Sequence, residues 1–156
     1  MAVFAADQIS KNLAVGALLD GPVDGPGPFW FRLVANRGVL MGFPLPGWIL
    51  VAAVGGVLTM AVHSLREAAS RTSAAGWGLV VGGAFGNLTD RVQHRPRFPD
   101  HAVVDWIASS TLPTFNLADV AILAGVILLA AAPDWPNQHQ ESKSRSFVHQ
   151  QRHQPT

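Results

Sequence analysis

Residues 45–62, "LPGWILVAAVGGVLTMAV", run for eighteen positions without a charge, and this constrains the chain more than any other feature. Residues 74–89, "AAGWGLVVGGAFGNLT", and 120–132, "VAILAGVILLAAA", are also charge-free. A membrane-spanning helix needs roughly 20 mostly apolar residues at about 1.5 Å rise each. The second and third blocks reach that length only with neighbours such as 87–91 and 115–119. Buried helices of a soluble domain are the alternative, but three such blocks fill too much of a chain of 156 residues. A fourth block, "MAVFAADQISKNLAVGALL", is interrupted by Asp7 and Lys11. Their i, i+4 spacing lets them pair on one helix face, which makes ionisable groups tolerable at membrane depth. The block lacks the basic start and small-residue cleavage site of a signal peptide. Only six residues precede Asp7, so this helix is short on one side.

Composition agrees with a membrane chain. Charged residues make up 13%, against about a quarter in soluble domains, and mean hydropathy is +0.25. That mean includes a polar tail, 134–156, which cannot build a core and reads as disordered, leaving 1–133 as the folded unit. A net charge of +1 gives no reason to expect nucleic acid, and the absence of cysteine removes disulfides, thiolate metal sites and a cysteine nucleophile. Trp30, Trp48, Trp77, Trp106 and Trp135 fall near the predicted span ends or in connections, as in an interfacial belt. Charge counting leaves orientation open, with five basic residues on each side of a four-span arrangement.

Two long connections, 20–44 and 92–114, lie on a common side. The first passes from the turn-rich "DGPVDGPGP" into a strand-like "FWFRLVANRGVL". Loops of this length are functional or disordered, and their aromatic and β-branched content argues for order.

The polar residues concentrate in short motifs. In "GGAFGNLTDR", Gly78, Gly82 and Gly86 recur every four residues and predict a face for close helix packing. Gly83, Asn87 and Arg91 share another face, and Asp90 stands beside Arg91 as a local charge partner; an interfacial ion pair explains the same residues without a site. In "FNLAD", Asn116 as N-cap and Asp119 at the third helical position account for both residues without catalysis. Asp105 in "AVVDWI" is a lone acid among apolar residues and needs a partner. If 92–114 folds back, Asp105 meets Asp119 at the mouth of the bundle. Two close carboxylates share a proton, which suits amide hydrolysis by an activated water with no metal, cofactor or covalent intermediate. His94 and His101 form no recognised metal pattern, and no Gly-x-Ser-x-Gly, Walker or dinucleotide-binding pattern occurs.

In order along the chain, "DQISK", "NRG", "GGAFGNLTDR", "VVDWI" and "FNLAD" together resemble the lipoprotein signal peptidases, signal peptidase II of bacteria. The resemblance implies an all-α membrane protein with four transmembrane helices and a small extracytoplasmic β-rich platform. It implies a bacterial inner-membrane location, with the active site toward the extracytoplasmic face and a cytoplasmic tail. It also implies a monomeric aspartic endopeptidase that meets lipid-modified prolipoproteins among membrane lipids and cleaves before the diacylglyceryl-modified cysteine. Asp105 and Asp119 match the catalytic aspartates. Asp7, Lys11, Asn36, Gly38, Asn87, Asp90, Arg91 and Asn116 match the supporting set. Val39, Leu40 and Met41 depart from the family pattern after "NRG", and the stretch 92–104 is longer than is usual there. The competing reading is a non-enzymatic four-helix membrane protein, for binding or assembly, in which the same polar residues serve packing.

Overall fold

The computed structural model describes residues 2–37, 47–66, 70–93, 98–99 and 101–133. Gly38, the Val39–Leu40–Met41 departure, and the tail 134–156 lie outside the described residues. Four helices and three strands follow in the order α1 (Ala2–Ala17), β1 (Val23–Asp24), β2 (Phe29–Asn36), α2 (Gly47–Arg66), α3 (Arg71–Val92), β3 (Val103–Ser109) and α4 (Leu117–Ala130).

Each charge-free block forms a helix, and the ends follow local chemistry. Ser70 caps α3 by accepting from the Ser73 backbone N–H at 3.1 Å. Asn116 caps α4 in a reciprocal box: its side chain accepts from Asp119 N, and the Asp119 carboxylate accepts from Asn116 N, both at 3.1 Å.

The strands form one antiparallel sheet in the order β1–β2–β3. Gly27, at φ +63°, supplies the left-handed residue that turns β1 into β2. Between β2 and β3, Phe31 faces Ile107 and Val34 faces Asp105, so one extra residue of β2 is absorbed there as a bulge. Such a bulge bends the strand and re-aims side chains beside it. Past β3 the chain doubles back, and Phe115 pairs with Ile107 through bonds of 2.9 Å in both directions. This return delivers Asn116 and the start of α4 to the flank of Asp105.

The helices pack around α3, most extensively against α4. A Cβ on Gly76 would stand 2.8 Å from Leu129, one on Gly125 would stand 2.7 Å from the Gly76 carbonyl, and one on Gly83 would stand 2.5 Å from the Ala118 carbonyl. Gly82 and Gly86 instead receive α1, at Val3 and Asp7, while Gly78 faces open space. The predicted every-fourth glycine face is therefore real at two of its three positions, and α3 uses a second glycine set against α4. Trp77 departs from the belt expectation. It lies in the core with Ala61, Val80 and Leu129, between α2, α3 and α4.

Polar and ionisable side chains are buried beside the apolar core, and large apolar ones are exposed. Asp7, Lys11, Asp90, Asp105 and Asn116 are buried, while Ile9, Leu13, Met60, Val92, Leu123 and Ile127 are more than half exposed. Even so, among the described residues no helix is long and apolar enough to cross a membrane. α1 has only 16 residues and α4 only 14, and α3 carries Arg71, Asp90 and Arg91. The architecture is thus four helices with a small antiparallel sheet.

Candidate active site

The site is built outward from one lysine. Lys11 on α1 is fully buried, and its Nζ donates to Asp7 Oδ2 at 2.8 Å, Asp90 Oδ2 at 2.8 Å and Asn87 Oδ1 at 2.9 Å. An ammonium has three protons and no acceptor capacity, so these contacts use its full hydrogen-bonding valence. The expected Asp7–Lys11 pair is present. Asp90, read from the sequence as a local charge partner of Arg91, does act on the Arg91 charge, and its carboxylate also forms an ion pair with Lys11.

Each carboxylate around Lys11 also fixes a second element. Asp7 Oδ1 accepts from Ala118 N at 3.0 Å, satisfying a free N–H at the start of α4 from a different helix. Asp90 Oδ2 accepts from Val104 N at 3.2 Å and thereby holds β3 against α3. Gln8 closes the cluster by donating toward Asp7 Oδ2, the Gly86 carbonyl and Asp90 Oδ1 at 3.1–3.2 Å. Close approach at Gly86 makes this possible, because a Cβ there would collide with the Asp7 carboxylate.

Asn87 carries the order of this cluster to the two proposed catalytic acids. Its Oδ1 accepts from Lys11, and Lys11 can only donate, so the amide orientation is fixed and Nδ2 is left to donate to Asp119 Oδ1 at 2.9 Å. Asn116 is oriented in the same manner. Its Oδ1 accepts from Asp119 N, and its Nδ2 donates to Asp105 Oδ1 at 2.7 Å and to Asn87 Oδ1 at 3.1 Å. Asn36 of β2, aimed past the bulge, donates to Asp105 Oδ2 at 2.9 Å. The two aspartates therefore flank one asparagine that bonds to both. Arg91 donates to the Asn87 carbonyl at 3.0 Å, and its charge acts on Asp105, Asp119 and Asp90.

Burial pushes the Asp105 carboxyl up from 3.8 to about 6. The Asn36 hydrogen bond works against that shift, the Asp119 charge adds to it, and the Asn116 bond and Lys11 charge oppose it. A carboxyl poised there exchanges its proton near neutral pH. No group of His, Cys, Asp and Glu that would hold a metal ion is found among the described residues.

Nine of the ten site residues expected from the sequence are thus in one continuous cluster, and the tenth, Gly38, lies outside the described residues. The N-cap reading of Asn116 and Asp119 and the site reading prove compatible, since the cap geometry presents both side chains to Asp105. Sequence reasoning missed Gln8 and the backbone N–H groups of Val104 and Ala118. Gln8 adjoins Asp7 in "DQISK" and was open to the same scrutiny, whereas the backbone donors leave no trace in residue identity.

A buried ionic cluster hydrogen-bonded to two carboxylates, on four helices with a small antiparallel sheet, makes this a candidate carboxylate-pair site in a helical bundle. The particular family follows from comparison: residues 1–133 match the family model described as signal peptidase (SPase) II, and the chain belongs to that family. It is 36% identical over 135 residues to the lipoprotein signal peptidase of Rhodococcus jostii (strain RHA1), covering 81% of this chain and 66% of that one. It is likewise 36% identical over 137 residues to the lipoprotein signal peptidase of Rhizorhabdus wittichii (strain DSM 6014 / CCUG 31198 / JCM 15750 / NBRC 105917 / EY 4224 / RW1), covering 81% and 78%. The chain spans about two thirds of the length of the first of these relatives. Two solved structures described as bacterial membrane enzymes share its fold. One has a TM-score of 0.70 at 23% identity, covering 81% of this chain and 79% of that one; the other has 0.69 at 24%, covering 85% and 88%.

Proposed function

We propose that this protein is a membrane aspartic endopeptidase that removes signal peptides from prolipoproteins, cleaving before the diacylglyceryl-modified cysteine. The observation that carries this reading is the placement of Asp105 and Asp119 on either side of Asn116, inside a polar cluster that fixes their orientation. Asp119, bonded by Asn87 and the α4 N-terminus, takes a proton from the attacking water. Asp105, whose carboxyl holds its proton up to about pH 6, donates a hydrogen bond to the scissile carbonyl. The C–N bond of the tetrahedral intermediate breaks as the water proton held by Asp119 passes to the leaving amine, which returns Asp119 to the carboxylate with Asp105 still protonated and adds water across the peptide bond. Metal and covalent enzyme intermediates have no part in this scheme.

A bilayer is the solvent that fits exposed apolar helix faces around a buried ionic cluster. Exposed Ile9, Leu13, Leu123, Val126 and Ile127 are compatible with lipid, where buried ions must find partners in the protein. Helices α2 and α3, with 20 and 22 residues, are about 30–33 Å long, while α1 and α4 are nearer 21–24 Å. Local thinning of the bilayer accommodates short helices at modest cost. The sheet would stand at the extracytoplasmic face of the inner membrane, with the tail 134–156 on the opposite side. Phe29, Trp30, Phe31 and Trp106 would form the platform beside the lipidated cysteine; Phe31 and Trp106 have ring centroids 5.7 Å apart.

Lipid on the substrate keeps the scissile bond near the acids, at about 0.8 kcal/mol per buried CH₂. The protein reconstituted in membranes should therefore cleave a diacylglyceryl-modified prolipoprotein peptide more than about tenfold faster, in kcat/KM, than the unmodified peptide. Equal values would remove lipid anchoring from the mechanism. Cleavage of neither peptide would leave the polar cluster as a packing device in a non-enzymatic membrane protein.

A further inference from the structure

We infer that His101 is a positioning residue that sets the place of Asp105 by clamping the entry of β3 to the end of α3; its activity test rests on the peptidase reading above. His101 is the one non-glycine residue with positive φ, +64°, among the described residues. Any side chain carries some steric cost in that left-handed region, though histidine, like Asn and Asp, enters it more readily than most residues, and a local hydrogen bond can select it even at an exposed position such as this. What holds it here is a bond of 2.9 Å between His101 Nδ1 and the Arg91 carbonyl. A carbonyl only accepts, so Nδ1 carries the proton and donates.

The bond lies at a mechanically decisive point. Helix α3 ends at Val92 and strand β3 begins at Val103. Immediately before β3, Ala102 N closes a turn on the Pro99 carbonyl at 3.2 Å. Ala102, Val103 and Val104 are then buried in succession, and Asp105 follows. Two bonds tie this entry to the last turn of α3: His101 to the Arg91 carbonyl, and Val104 N to Asp90 Oδ2 at 3.2 Å. Arg91 and Asp90 belong to the turn that begins at Asn87, the residue orienting Asp119. The His101 clamp therefore references the strand carrying one acid to the helix turn that orients the other. Reacting groups are sensitive to displacements of this kind, and a misplacement of about 1 Å can cost on the order of a hundredfold in rate.

Two substitutions separate the bond from the backbone conformation. His101→Gly accepts φ +64° without strain but has no donor. His101→Asn tolerates the left-handed region, and its Nδ2 occupies the branch position of the imidazole Nδ1. In membrane-reconstituted protein, His101→Gly should lower kcat on the lipidated peptide about tenfold at unchanged KM, with a melting temperature no lower than wild type. His101→Asn should restore kcat. Amide exchange at Val104 should quicken in the glycine variant and return to normal in the asparagine variant. Wild-type kcat in His101→Gly, a glycine variant that merely melts earlier, or an asparagine variant as slow as glycine would each overturn the proposal. If the wild type cleaves neither peptide, the peptidase reading fails by itself, and Val104 exchange still decides the clamp: identical exchange in all three proteins refutes it.

Discussion

Replacing Lys11 with methionine tests whether the buried cluster organises the molecule. The side chain keeps its approximate volume, so the change is in charge and hydrogen bonding. Lys11 is fully buried and makes contacts of 2.8, 2.8 and 2.9 Å to Asp7, Asp90 and Asn87. Its loss leaves two buried carboxylates without their shared counter-charge. Asp7 keeps Ala118 N and Gln8, and Asp90 keeps Val104 N and Gln8, which moderates the penalty. Breaking a buried ion pair from one side costs about 3–5 kcal/mol, whereas an exposed pair is worth about 0–1 kcal/mol. At about 2–4 °C per kcal/mol for a chain of this size, Lys11→Met should melt roughly 6–20 °C below wild type. Adding Asp90→Asn should recover part of that loss, because one of the two uncompensated charges is gone. Peptidase turnover should fall further than stability requires, since the orientation of the Asn87 amide toward Asp119 then rests on the 3.1 Å bond from Asn116 without the one from Lys11. Thermal unfolding of the purified variants in one detergent measures the first effect. A Lys11→Met protein melting within about 2 °C of wild type would refute the reasoning, as would a double variant no more stable than the single.

Other residues give sharper contrasts. Gly86→Ala drives a Cβ into the Asp7 carboxylate and should lose about 1–3 kcal/mol along with activity, while Gly78→Ala, with nothing within 4 Å, should be neutral or stabilising by up to about 1 kcal/mol; melting both decides it. Because the Asp105 carboxyl is raised from 3.8 to about 6, its stability contribution is full below about 3.8 and is lost as pH rises through about 6; wild type should therefore lose stability relative to Asp105→Asn across that window in a pH series of melts. Activity that needs the protonated form should decline over the same upper range, and Asn36→Ala, which removes a bond that holds the value down, should move that decline to higher pH in a kcat/KM profile. Truncation after Pro133 should leave turnover of the lipidated peptide within about twofold of wild type.

The helices were legible because an uninterrupted apolar run has few other structures open to it, and α2, α3 and α4 lie within a few residues of the blocks that announce them. The i, i+4 pairing of Asp7 with Lys11 was legible because it depends on local geometry. The local charge partnership of Asp90 with Arg91 is likewise legible, but the ion pair that Asp90 makes across the bundle to Lys11 is not, because periodicity carries no information about which faces meet. Trp77 reads as interfacial in the sequence because composition cannot distinguish a tryptophan near a helix end from one turned into the core. The bulge that aims Asn36 at Asp105 and the left-handed His101 were invisible, since both are set by sheet pairing and loop closure rather than by residue type.

The central claim is that Asp105 and Asp119 do the chemistry and that the surrounding cluster only holds them. The measurement that tests it most directly is turnover of a diacylglyceryl-modified prolipoprotein peptide by membrane-reconstituted wild type, Asp105→Asn and Asp119→Asn, with melting temperatures taken on the same samples. The account predicts cleavage before the modified cysteine by wild type and a loss of at least about a thousandfold in each variant, with both variants folded and membrane-inserted. Turnover within about tenfold of wild type in either folded variant would contradict it and remove that aspartate from the mechanism.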